Sequence, residues 1–460
     1  MNENLVWSKA KTEATPPVWR AMVAKYQQPS VGRSVWQLVD TLVPYAALWY
    51  VMYLSLGVSY WLTLGLAVLV AGFLVRIFII SHDCGHGSFF KSQKANDLVG
   101  VITGVLSFVP YFHWRWEHAV HHSSCGDLDR RGKGDVWTMT VQEYLKSSRW
   151  QRFSYRLTRN PAVLFVIAPL VLFLIKERFP TAGAGARERR SVYWTNAAIL
   201  ALAAGLSWAF GLKAYLLIQL TVMGVAATAG VWLFYVQHQF EGVYWERGEE
   251  WDYTAAALKG SSFYKLPKVI QWFSGNIGFH HIHHLSPGIP NYYLPKCHEG
   301  EPYFQTVKPI TFWPSLKALG FRLWDEENQR LVSYDILRQV RRQAPLRFQE
   351  EMQREVSSPD FSVQVELKPA QKQVWVRLEG PLSSAGAEGL GQRIRESLAR
   401  SKGRLVLDLH KLHWDRVDDL KPLREKLAAY RSRVRLILPK LAAAHPEVIL
   451  LASMFQHYKG

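Results

Sequence analysis

The chain has 460 residues, 49% of them hydrophobic, with 19 Trp, 20 Tyr and 22 Phe, which is enough for a large core plus a second unit. The formal charge of +18 raises nucleic acid as a partner. The apolar residues, however, crowd into charge-free stretches before residue 240, so the excess reads as contact with an anionic membrane surface and nucleic acid is set aside. Cys84, Cys125 and Cys297 form no CxxC pair and no disulfide framework, a usage compatible with a reducing compartment.

The N-terminus is polar and mixed in charge, and its first long apolar run starts near residue 41, which argues against a cleaved signal peptide. Thr41 to Ile80 contains one charged residue, Arg76. Forty helical residues span about 60 Å, or about two hydrocarbon cores, so this stretch predicts a hairpin turning near Ser59–Leu62. Residues 194–236 repeat the arrangement with Lys213 as the only charge and a turn near Gly211–Lys213. Two hairpins give four crossings whose outer ends share one side of the membrane.

Two further apolar stretches lie between the hairpins. Residues 98–112 are short for a span and carry Pro110, and residues 162–175 sit between Pro161 and Lys176-Glu177-Arg178 with Pro169 inside. Arg187, Arg189 and Arg190 mark the loop that follows as cytoplasmic by the positive-inside bias. A lone crossing by 162–175 would put the later histidines across the bilayer from the earlier ones. A shared metal site forbids that, so 162–175 is read as re-entrant or interfacial.

Twelve of the sixteen histidines fall between His82 and His298. Most stand in three clusters: His82-Asp83-Cys84-Gly85-His86, His118-Ala119-Val120-His121-His122 and His280-His281-Ile282-His283-His284. Helical positions three or four apart share a face, so the members of each cluster can converge. Eight imidazoles are too many for one tetrahedral zinc and suit two ions of higher coordination where helix ends leave the membrane. Imidazole accepts iron, zinc, copper or nickel, so ligand type does not choose the metal. His238, two residues beyond the second hairpin, is placed to join as a ninth ligand. His113, His281 and His298 stand equally well as structural residues. The bland alternative, interfacial or core histidines without metal, does not explain three phased clusters at predicted membrane edges.

These clusters resemble the signature of the membrane fatty acid desaturase family, HxxxH, HxxHH and HxxHH. Their surroundings do as well: His86-Gly87, Trp114-Arg115-Trp116-Glu117-His118, Gly275-Asn276-Ile277-Gly278-Phe279-His280 and Leu285 with Ile289-Pro290. The resemblance covers roughly residues 35–325. It implies an all-α integral membrane desaturase fold of four transmembrane helices with a cytosolic di-metal cap. It makes His82, His86, His118, His121, His122, His280, His283 and His284 the ligands of a non-haem di-iron centre, two Fe ions, with His238 matching the family's additional histidine. Asp83, Glu117, Glu241 and Asn276 are the candidates for orienting those imidazoles. The three-residue interval in the first cluster resembles enzymes acting on lipid-linked acyl chains.

The implied reaction is O2-dependent insertion of a double bond into a fatty acyl chain of a membrane lipid, with electrons from a separate carrier such as ferredoxin. Hydroxylation or ketolation of a lipid, carotenoid or alkane is the nearest rival, and a membrane metal transporter or sensor is the rival from another class. The expected location is a bacterial inner membrane, with the histidines and the C-terminus cytosolic.

The chain divides into an N-terminal cytosolic segment (1–35), the membrane domain (36–325), a helical linker (326–360) and a small α/β domain (361–460). Val374–Leu378, Arg404–Leu409 and Val434–Leu438 read as strands, and Gly389–Leu398 and Leu420–Tyr430 as helices. This last domain weakly resembles the STAS-like fold, in Leu407-Asp408-Leu409 and the step at Trp414-Asp415-Arg416-Val417. The phosphorylatable Ser or Thr of some relatives is missing after Asp415.

Overall fold

The computed structural model describes residues 18–132, 136–356, 362–368, 373–400, 403–413, 420–438, 453–454 and 456–457. Two compact units are present, Met1–Ser333 and Tyr334–Gly460.

Among the described residues of the first unit, four single helices are long and apolar enough to cross a membrane: α1 (Val31–Ser55), α2 (Tyr60–His86), and, later in the chain, Ala186–Phe210 and Leu212–His238. The first turn falls earlier than hydropathy suggests. Ser59 caps α2, its hydroxyl accepting from the Trp61 N–H, so the chain reverses at 56–59. α1 also begins ten residues before the apolar run. Its Ser34 and Gln37 are buried and bond inward, to the Phe89 carbonyl and Asn291 Oδ1. The second turn stands where it was read, at Gly211, whose φ of 84° needs a residue without Cβ.

α2 is the central helix, its apolar length mostly buried, whereas that of Ala186–Phe210 is mostly exposed. An exterior that apolar is stable only against lipid. Exposed Trp36 and Trp194 lie towards one end of the helices and Trp61 and Trp208 towards the other, as interfacial indoles do.

Residues 98–112 do not form one segment. α3 (Gln93–Leu106) packs back along α2, and α4 (Tyr111–Ser124) leaves it at a bend of 100°. Phe108, at φ 62°, and Pro110 make the break. Arg149–Thr158 and Val163–Arg178 form a second bent pair at 59°, with a π-helical turn at Val163–Ile167. The remaining long helices are then α5 (Ala186–Phe210) and α6 (Leu212–His238), followed by the short α7 (His280–Leu285).

The second unit holds α8 (Ile336–Val356), α9 (Ser384–Arg400) and α10 (Lys421–Leu427) with strands β1 (Ser362–Lys368), β2 (Gln373–Pro381), β3 (Arg404–His413), β4 (Val434–Ile437) and β5 (Gln456–His457). The strands lie in sequence order; β1 and β2 are antiparallel and the other pairs parallel. Val374, Val376 and Leu378 share one face with Leu405, Leu407 and Leu409, against Leu390, Ile394 and Leu398 of α9. The segment read as a helical linker buries Phe348 and Met352 in this core, so α8 is one of the unit's own packing elements. Trp414 to Val417 lie outside the described residues.

Candidate metal centre

Each histidine cluster sits on a helix end or a short helix that fixes its phase. His82 and His86 occupy the last turn of α2, which Gly87 closes at φ 70°. α4 carries His118, His121 and His122, and α6 ends on His238. α7 is six residues long and wholly buried, and it carries His280, His283 and His284.

The nine rings meet in two groups. In the first, one ligand atom from each of His82, His86, His118, His122 and His283 lies within 4.8 Å of all the others. His121, His238 and His284 meet the same condition together with Cys125, and His280 joins them with Nε2 3.0 Å from His238 Nε2. The groups adjoin, the His122 and His284 rings stacking at 4.1 Å.

Helix geometry explains the partition. Positions i and i+4 lie about 40° apart around the axis and i+3 falls on the other flank. The i, i+4 pair His118 and His122 therefore enters the first group while His121 turns to the second. α7 does the reverse: His280 and His284 enter the second group and His283 the first. Each HxxHH thus supplies both groups.

The residues fit metal ions. His118 Nε2 lies 3.1 Å from Nε2 of both His82 and His122, His122 Nε2 3.1 Å from that of His283, and His238 Nε2 3.2 Å from that of His121. Two nitrogens at right angles, each about 2.1 Å from one ion, are about 3.0 Å apart. The Nε2 atoms of His86 and His284 are buried without a hydrogen-bond partner, although each ring lies within its group. A buried nitrogen left unpaired is costly, and a cation between the rings removes that cost. Burial holds the imidazoles of His280, His283 and His284 well below their usual pKa, hence neutral, the form that ligates.

Of the four polar residues expected to orient the rings, Asp83 touches one of the nine: its Oδ1 lies 3.2 Å from His82 Nδ1. Glu117 lies beside His113 Nδ1 at 3.9 Å and accepts from the Thr181 hydroxyl. Glu241 is 74% exposed in an ion pair with Lys317, because the chain turns outward after α6. Asn276 sits at φ 57° and donates to the Asn291 carbonyl. His113 accepts from the Thr181 N–H, and His281 packs against Phe263 and His298. The hydrophilic loop after the second cluster ties itself down through Arg130–Asp127 and Arg131–Glu143, and its residues 133–135 lie outside the described set.

Two residues of the site were not singled out from sequence. Asn291 braces Asp83 through its backbone and side-chain nitrogens. Cys125 lies against His238, and its spacing of four from His121 was a readable signal.

Fold and site together define a helical protein with membrane-length apolar helices and buried or half-buried histidines in groups that could hold metal ions. The family profile described as "Fatty acid desaturase" matches residues 59–310, more than half of the chain. A fatty acid desaturase of Bacillus subtilis (strain 168) is 49% identical over 318 residues, covering 69% of this chain and 90% of that protein. A Synechocystis protein named "sn-1 acyl-lipid omega-3 desaturase (ferredoxin)" is 28% identical over 267 residues, 53% of this chain and 71% of that one. A Vigna radiata endoplasmic reticulum omega-3 fatty acid desaturase is 29% identical over 240 residues, 47% of this chain and 59% of its own. The chain belongs to the fatty acid desaturase family, and is an integral membrane oxidoreductase.

Proposed function

We propose that the chain inserts a double bond into an acyl chain carried by a membrane lipid, using O2 and two iron ions held by the nine histidines. The observation that carries this reading is the convergence of those rings into adjoining groups, one of five and one of four. Two irons, when bound, supply the activation of O2 that removing hydrogen from an unactivated CH2–CH2 pair requires. The chain's own residues hold, orient and seclude. His82, braced by Asp83, and His283 tie α2 to α7 in the first group, while His121, His238, His280 and His284 join α4, α6 and α7 in the second. Phe234 lies against His121 and His238, at ring distances of 5.3 and 5.2 Å, and offers an apolar wall to hydrocarbon.

The Synechocystis relative is named for ferredoxin, which supports a separate electron carrier here, and the chain's formal charge of +18 suits an acidic one. We place the histidine end in the cytosol of a bacterial inner membrane. Arg187, Arg189 and Arg190 open α5 at that end, where Arg187 pairs with Asp97. We assign the C-terminal unit to the same side; the described residues after α7 include no further apolar helix of membrane length. Its mostly parallel sheet supports the STAS-like reading.

The test is His121→Ala and His284→Ala in the intact chain, with iron and lipid product measured together. Both should lose iron from the second group and abolish the product; retention of both would refute the ligand set.

A further inference from the structure

Cys125 is fixed with little freedom at the C-terminal end of α4. Its N–H donates to the His121 carbonyl at 2.8 Å, and its carbonyl accepts from Trp251 Nε1 at 2.9 Å. The chain then turns sharply at Gly126, φ 77°, where an added Cβ would press on the Tyr244 carbonyl. These contacts leave Cys125 4% exposed with Sγ 3.2 Å from His238 Nδ1.

His238 has two chemically different edges. Nε2 faces Nε2 of His121 and His280, at 3.2 and 3.0 Å. Nδ1 faces the Gly260 carbonyl at 3.3 Å and the Cys125 sulfur. A carbonyl can only accept, so Nδ1 carries the proton and Nε2 keeps its lone pair for the interior. The Cys125 sulfur, a weak acceptor, stands 3.2 Å from the same nitrogen and is within reach of that proton. His280, in the same group, has no such anchor: its Nδ1 is buried without a partner. His82, in the first group, is braced by a carboxylate instead.

We infer that Cys125 is a positioning residue of the second group, its sulfur accepting from His238 Nδ1–H so that Nε2 stays aimed at the metal. Resting as it does on the reading of these histidines as iron ligands, it predicts that the two irons differ in what lies behind their imidazoles. Partners of this kind typically change metal affinity ten- to a hundred-fold, and a shared, neutral acceptor belongs at about the tenfold end.

The test uses the full chain, loaded with 57Fe in nanodiscs, as native protein and as Cys125→Ala, Cys125→Val and Cys125→Ser. Ferrous Mössbauer spectra and iron titration are read. Alanine and valine should each weaken one of the two irons by roughly tenfold and shift only its doublet, and serine, an acceptor of similar size, should restore both. Unchanged spectra in alanine and valine would overturn the inference. So would serine behaving like alanine, or valine like native, since the side chain would then serve packing alone. A native chain that takes up no iron would instead overturn the ligand reading and this inference with it.

Discussion

Asp83 and Asn291, 208 positions apart, are joined through one carboxylate oxygen: Asp83 Oδ2 accepts from the Asn291 backbone N–H at 2.6 Å and from its Nδ2 at 2.8 Å. The other oxygen braces His82 Nδ1. Asp83 therefore links the first histidine group to the segment just after α7. Asp83→Ala should lower iron affinity at the first group by roughly 10–100-fold and leave the second group's iron in place. Iron titration checks this, and equal loss from both groups would contradict it.

Arg76, the single charge in the first apolar stretch, is buried over the Trp272 ring at 3.9 Å, donates to Thr41 Oγ1 and lies 3.5 Å from Asp40. Removing one partner of such a pair strands the other charge. Asp40→Ala should therefore cost about 3 kcal/mol, and the double variant Asp40→Ala with Arg76→Met less. Thermal unfolding in detergent would show whether the double variant recovers stability.

These polar contacts also explain what the sequence hid. Hydropathy located four helices but missed the start of α1, because Ser34 and Gln37 face inward to partners at Phe89 and Asn291 that no local pattern reveals. The nine histidines were legible from spacing and family resemblance. Their division was not, since it depends on how α2, α4, α6 and α7 pack, although the opposite flanks of i+3 and i+4 foreshadow it. Glu241 looked well placed beside His238 and is turned out to Lys317. In the second unit β1 follows a helix read as a linker, and β5 is two residues long, too short to show a period.

The metal-free protein should weaken in mild acid. His280, His283 and His284 titrate well below their usual value in the folded chain because they are buried, while the unfolded chain takes up protons from about pH 6.5 downward. Their stabilising contribution is complete above that pH and is lost as pH falls towards the folded values, by roughly 1.4 kcal/mol per unit for each group. Melting temperatures of the metal-free chain at pH 7.5 and 5.5 test this; equal values would contradict it.

Cys84, Cys125 and Cys297 are buried thiols outside any disulfide, and the Cys297 thiol is pushed up to about 12 by burial and by Glu301. Thiolate is the reactive form, so the folded chain should resist alkylation. Maleimide labelling at pH 7 should be near zero before denaturation and reach three groups after it. Rapid labelling of Cys297 in the folded chain would be inconsistent with this packing.

The most direct test of the whole account is mass spectrometry of membrane lipids after the intact, iron-loaded chain has turned over with a reducing system and O2. Acyl chains lighter by two hydrogens, with a double bond at one defined carbon pair and no added oxygen, are the predicted result. A hydroxyl or keto group on the chain, or an unaltered lipid pool beside a fully loaded iron site, would contradict it.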